Sequence, residues 1–116
     1  MDQFKEIINA YFENYSKFEK GKVTFDCDYG ELIFNKENDN CLTIYGIYIF
    51  PEYRNKGVGK LLIQAALDSA KDCKLKEVYL ACFEDLIFYY KKLNFNYTGN
   101  QIFYANKKYY IFKYKL

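Results

Sequence analysis

Between Leu42 and Cys73 the chain changes hydrophobic period once, and abruptly, and this limits what it can fold into. Leu42 to Phe50 is apolar on both faces and rich in β-branched and aromatic residues, the pattern of a buried central strand. Pro51 ends it. Beyond a short loop, Val58, Leu61, Leu62, Ala65, Ser69 and Cys73 recur at three- and four-residue spacing, which predicts a helix starting close to Gly57 with one apolar stripe. The loop between them, Arg54-Asn55-Lys56-Gly57-Val58-Gly59-Lys60, is therefore a helix N-terminus. The first N–H groups of a helix lack internal partners and the macrodipole adds partial positive charge, so the loop suits an anion such as phosphate. Two glycines let a ligand come close to the backbone, and Arg54, the sole arginine of the chain, stands at the entrance.

Two familiar phosphate loops do not fit. A Walker A loop needs glycine at position 54 and Ser or Thr at position 61, which are Arg54 and Leu61. A dinucleotide fingerprint needs a third glycine where Leu62 stands and an acidic residue at the end of the next strand, where Ala81 and Cys82 stand. What remains is R-x-x-G-x-G behind a strand and Pro-Glu-Tyr. The run Ile49-Phe50-Pro51-Glu52-Tyr53-Arg54-Asn55-Lys56-Gly57-Val58-Gly59 resembles the acetyl-CoA loop of the GNAT N-acetyltransferases. A second stretch, Tyr90-Lys91-Lys92-Leu93-Asn94-Phe95, resembles the family's Tyr, two polar residues, Leu, Gly, Phe. Only the glycine differs, and asparagine is the next most tolerated residue where a chain turns left-handed after a helix.

The resemblance runs from Leu42 to Leu116 and implies an α+β fold, an α/β/α sandwich of the acyl-CoA N-acyltransferase type with a mixed twisted sheet and helices on both faces. It implies an acetyl-CoA-dependent N-acetyltransferase acting on a primary amine, with Tyr90 protonating the departing CoA thiolate. Backbone groups along Ile47, Tyr48 and Ile49 would pair with the pantetheine arm, an N–H near Ile47 polarising the thioester carbonyl as an oxyanion hole. Backbone N–H groups from Arg54 through Asn55, Lys56, Gly57 and Val58 to Gly59 would hold the pyrophosphate, with charge from Arg54, Lys56 and Lys60. The chain departs from the family at Phe83, often an asparagine contacting the cofactor arm, and at Thr43, where some members carry a basic glutamate. Candidates to take the amine's proton are water chains ending on Asp26, Asp28 or Glu31, or relays through Tyr45 or Tyr48. The alternative is a module that binds acetyl-CoA without turnover, or one that holds a protein partner through exposed tyrosines.

With no histidine among 116 residues, the usual general base and every Ser-His or Cys-His pair are excluded. Cys27, Cys41, Cys73 and Cys82 show no CxxC spacing, so they read as reduced small hydrophobes and no metal site is expected. A net charge of +2 gives no reason to expect nucleic-acid binding. No run approaches a membrane span and the start has no signal pattern, so the expectation is a cytoplasmic chain, monomeric or homodimeric, with an amine acceptor, protein or small molecule, as partner.

No linker or repeat divides residues 1–116, which read as a single domain. A helical stripe from Asp2 to Lys17 is expected to pack on a sheet; Lys22–Asp28 and Leu32–Phe34 read as a hairpin, and Lys36–Asn40 as a polar turn. Leu75–Cys82 reads as a strand and Glu84–Leu93 as a short helix. Strand pieces at Phe95–Tyr97 and Gln101–Tyr104 follow, then a turn at Ala105-Asn106-Lys107 and a last strand, Tyr109–Tyr114, in which alternation favours Tyr110, Phe112 and Tyr114 as core. Family members usually begin with a strand and two helices before the hairpin. Here one helix precedes Gly21, so the front half is short.

Overall fold

The computed structural model describes residues 2–13, 21–36 and 38–116. Helix α1 (Asp2–Glu13) is followed by strands β1 (Gly21–Cys27), β2 (Gly30–Lys36) and β3 (Cys41–Ile49). Helix α2 (Val58–Asp72), strand β4 (Glu77–Cys82), helix α3 (Ile87–Lys92) and strands β5 (Asn96–Tyr104) and β6 (Lys107–Lys115) complete it. The expected continuation of α1 to Lys17 falls on residues outside those described.

The strands form one sheet in the order β1-β2-β3-β4-β6-β5. Among the described strands only β3 and β4 pair in parallel, which requires a crossover, here supplied by α2. The other pairs are antiparallel, so this is the mixed sheet of an α+β fold. Register brings the buried strand residues onto one face: Phe25 lies opposite Leu32, Phe34 opposite Ile44, Leu42 opposite Val78 and Leu80 opposite Phe112. These side chains join Leu62, Ile63 and Ala66 of α2, Tyr90 of α3 and Ile8 of α1 in one core.

Helix α2 buries more than one stripe. Besides Val58, Leu62 and Ala65, the residues Ile63, Ala66, Leu67 and Ala70 are buried. The cause is α1, which packs against α2 rather than mainly on the sheet and covers a second side of that helix. Its Phe4 meets Tyr29 and Tyr53 edge-on at 4.8 and 6.3 Å. The pieces expected at Phe95–Tyr97 and Gln101–Tyr104 belong to a single strand, β5, whose register against β6 shifts between Tyr97 and Gln101, with Gly99 at φ 87°. A bulge absorbs the extra residues without ending the strand. Phe112 is wholly buried, with Tyr110 and Tyr114 packed at the core's edge.

The connections out of α3 and α2 close in the same way. Asn94 adopts φ 69°, while the N–H of Phe95 reaches the carbonyl of Tyr90 (3.1 Å) and that of Asn94 the carbonyl of Lys91 (3.0 Å). This is the left-handed closure that asparagine accommodates. Lys74 does the same after α2 at φ 64°, with Leu75 N–H to Ala70 (3.0 Å) and Lys74 N–H to Lys71 (2.9 Å). Lysine has no side-chain device that eases this conformation. Lys74→Gly is therefore expected to stabilise the chain by about 1 kcal/mol, read as a higher denaturation midpoint in urea at unchanged slope.

Candidate functional site

The site starts from a fault in β3. Ile33 pairs with Gly46 while Phe34 pairs with Ile44, so Tyr45 is an extra residue and β3 carries a bulge. The bulge shifts the alternation by one. Ile47 and Ile49, odd-numbered, thereby turn to the same face as Leu42 and Ile44, and both pack on the core. It also bends the strand, and the parallel pairing with β4 stops at Ile44 and Leu80. From there the two strands part. β4 stays with β6 through Ala81 and Cys82, while β3 stays with β2 as far as Ile49.

In the opening lies a cleft of about 280 Å³, whose wall includes Gly46, Ile47, Cys82, Phe83, Leu86 and Tyr90. Tyr90 is only 6% exposed, held edge-on between Tyr89 (5.1 Å) and Phe95 (5.9 Å). Burial, with smaller contributions from Tyr89 and Cys82, pushes its phenol up to about 12, so it keeps its proton at any physiological pH. Burial, then Asp85, pushes the Cys82 thiol up to about 11, so this neighbour is also neutral. Phe83 stacks on Tyr109 at 4.8 Å, an apolar wall where a hydrogen-bonding side chain was a family expectation.

The loop comes to this cleft at one point, where Gly59 lies against Ile47 of its wall. Pro51–Tyr53 forms a 3-10 turn, Asn55 and Gly57 take left-handed φ of 61° and 80°, and Gly57 is the N-cap of α2 with no side chain capping it. The first helical bond is Leu61 N–H to the Gly57 carbonyl (3.2 Å). The N–H groups of Val58, Gly59 and Lys60 precede it and point out of the helix end. Gly59 faces the sheet: a Cβ there would lie 3.5 Å from the Tyr89 hydroxyl and 3.9 Å from side-chain atoms of Ile47 and Ile49. The start of α2, the free end of β3 and α3 thus surround one small space, a cradle that a side chain would fill.

Arg54 is exposed, and its Nε donates to the Ile49 carbonyl at 2.8 Å while its guanidinium lies 5.3 Å from the centre of the Tyr48 ring. The side chain therefore braces the turn as well as carrying charge. Lys56 lies 5.9 Å from the Tyr53 ring centre, and Lys60 is exposed. Among the groups considered as proton acceptors, Tyr45 lines the cleft, whereas Asp26, Asp28, Glu31 and Tyr48 are not in its wall. Thr43 lies on the opposite face, in the wall of a larger cleft. Tyr89, Cys82 and Leu86 were not singled out in the sequence as site residues. Leu86 had a signal in its four-residue spacing from Tyr90, whereas Tyr89 and Cys82 join the site only through the fold.

A mixed sheet that parts after the paired stretch of β3 and β4, with the uncapped, glycine-bearing start of α2 beside the gap, is an α+β fold with a place suited to an anionic ligand. Residues 9–95 match the model of the acetyltransferase (GNAT) family, and the chain belongs to that family. No curated protein matches it at a significant level. Among solved structures it is similar to a GNAT family acetyltransferase from Elizabethkingia anophelis with acetyl-CoA bound (15% identity over 97% of this chain and 83% of that one, TM-score 0.69). It is also similar to Ard1 from Thermoplasma volcanium (22% identity, 76% and 63% covered, TM-score 0.68). A third is Arabidopsis thaliana Naa50 in complex with the bisubstrate analogue CoA-Ac-MVNAL (26% identity, 76% and 66% covered, TM-score 0.65). The chain thus spans less than two thirds of the length of the Ard1 protein.

Proposed function

We propose that the chain transfers the acetyl group of acetyl-CoA to a primary amine by direct attack, with Tyr90 as the acid. One observation carries this reading: the space between β3 and β4 has a neutral, buried tyrosine in its wall, and the uncapped start of α2 meets that wall where Gly59 lies against Ile47. Acetyl-CoA supplies an activated thioester. Solved relatives containing acetyl-CoA or CoA support it as the co-substrate. The residues present fit such a molecule, because Gly59 leaves the cradle open and the unpaired N–H groups after Gly57 meet an anion.

In this reading the backbone from Arg54 to Gly59 holds the pyrophosphate, with Lys56 and Lys60 adding charge. The edge of β3 along Ile47, Tyr48 and Ile49, which has no β4 partner, takes the pantetheine arm, and an N–H near Ile47 polarises the carbonyl. The amine's lone pair forms the C–N bond and the C–S bond breaks with its electrons on sulfur. Tyr90 gives its proton to that sulfur and is reprotonated from solvent; the nitrogen's surplus proton leaves to water.

Calorimetry with acetyl-CoA tests the reading. Micromolar binding is expected, and Arg54→Ala is expected to weaken it only about three- to tenfold, because the side chain is exposed and its Nε is engaged by Ile49. Absence of any heat of binding to the intact chain would overturn the proposal.

A further inference from the structure

The face of the sheet turned away from the core carries the larger cleft, about 720 Å³. Thr43, Tyr79 and Ile111 line it, alternating along their strands with the buried Leu42, Ile44, Val78, Leu80 and Phe112. Ile44, Tyr45, Leu80, Ala81 and Tyr109 are common to its wall and to that of the smaller cleft containing Tyr90. The two clefts therefore adjoin where β3 and β4 part, one reaching the gap from each face. The β5–β6 hairpin builds the rim of the larger one with Ile102, Phe103 and Tyr104, which are 48%, 75% and 72% exposed.

The chemistry of this wall is one-sided. No residue among its described lining is a carboxylate, lysine or arginine, and five are aromatic: Tyr45, Tyr79, Phe103, Tyr104 and Tyr109. The nearby Glu77 is already engaged, by Lys113 at 3.3 Å and by the Tyr79 hydroxyl, which donates to it at 3.3 Å.

We infer that the acceptor is a small monoamine carried on an apolar or aromatic body, seated in the cleft walled by Tyr45, Tyr79, Tyr109 and Phe103. This rests on the acetyl-transfer reading and deepens it. Aromatic walls give an apolar body contact area and leave room for one uncharged amine at its end. A second or third ammonium group, as in a polyamine or aminoglycoside, would lose water and find no carboxylate. The volume is that of a small-molecule site. Apolar surroundings also favour the uncharged form of the amine, so the nucleophile arrives as the free base although Thr43, not a carboxylate, stands in β3 beside the gap.

The test uses the intact chain with acetyl-CoA and four acceptors: phenethylamine, hexylamine, spermidine and a lysine-containing peptide. Free CoA and acetylated product are both measured. The two monoamines are expected to show kcat/KM at least about 100-fold above spermidine and above the peptide. Ile102→Glu places a carboxylate on the exposed rim and is expected to narrow the monoamine-to-spermidine ratio at least about tenfold. Its acetyl-CoA affinity should not change, since Ile102 lines only the larger cleft. Preference for spermidine or the peptide, an unchanged ratio in Ile102→Glu, or acetyl-CoA binding without acetylation of either monoamine would overturn the inference and leave the cofactor reading standing. Failure to bind acetyl-CoA would overturn that reading itself.

Discussion

Gly59→Val is expected to leave the chain folded and to weaken acetyl-CoA binding at least about 100-fold, a loss of about 2.7 kcal/mol. The two halves of this result have separate causes. In the unliganded chain the new Cβ meets the Tyr89 hydroxyl at 3.5 Å and Ile47 and Ile49 at 3.9 Å, ordinary contact distances, and the γ carbons beyond it meet side-chain atoms, foremost the hydroxyl end of Tyr89, which is exposed enough to turn aside. Glycine is also the poorer helix former, by a few tenths of a kcal/mol, so thermal stability should hold or rise slightly. The branched side chain, however, occupies the cradle before the first N–H groups of α2, where the proposed pyrophosphate must come within hydrogen-bonding distance. Gly57 makes a less informative target: at φ 80° any Cβ is strained, and lost binding would be mixed with lost stability. A Gly59→Val chain with wild-type melting temperature and wild-type affinity would remove the anion site from the start of α2.

Tyr90→Phe is the second large effect. The expected outcome is a fall in kcat of about 100- to 1,000-fold, with the dissociation constant for acetyl-CoA changed less than about threefold. The ring keeps its place between Tyr89 and Phe95, so only the hydroxyl is lost. With the phenol pushed up to about 12, the wild-type rate should also show no alkaline descending limb through about pH 10, because the donor stays protonated. If Tyr90→Phe turned over as fast as wild type, Tyr90 would be a packing residue of the Phe95 cluster and the proton would have to come from elsewhere. The split between kcat and affinity separates this from the Gly59 result, in which binding itself is lost.

Much of the fold was legible in the sequence because the signals were local. The apolar run of β3, Pro51 and the period of α2 placed the loop, and the left-handed closure at Asn94 followed from its position after a short helix. Three features were not legible. The bulge at Tyr45 depends on how β2 pairs with β3, and one extra residue in an apolar run leaves no mark on its composition. The wide buried surface of α2 depends on α1 lying across it. The left-handed Lys74 has no sequence signal, since a lysine there is tolerated rather than preferred.

The candidate site divides in the same way. The sequence by itself determined the order of elements, the glycine-bearing start of α2 and the placing of Tyr90 on α3, each a matter of neighbours along the chain. Only the tertiary structure decided that β3 and β4 part after Ile44, that Tyr89 closes over Gly59, and that two clefts adjoin at the gap. The physical reason is that periodicity and capping are set by residues within a few positions of one another. Strand divergence, burial of a phenol and the charge of a cavity wall are set by side chains brought together from across the chain.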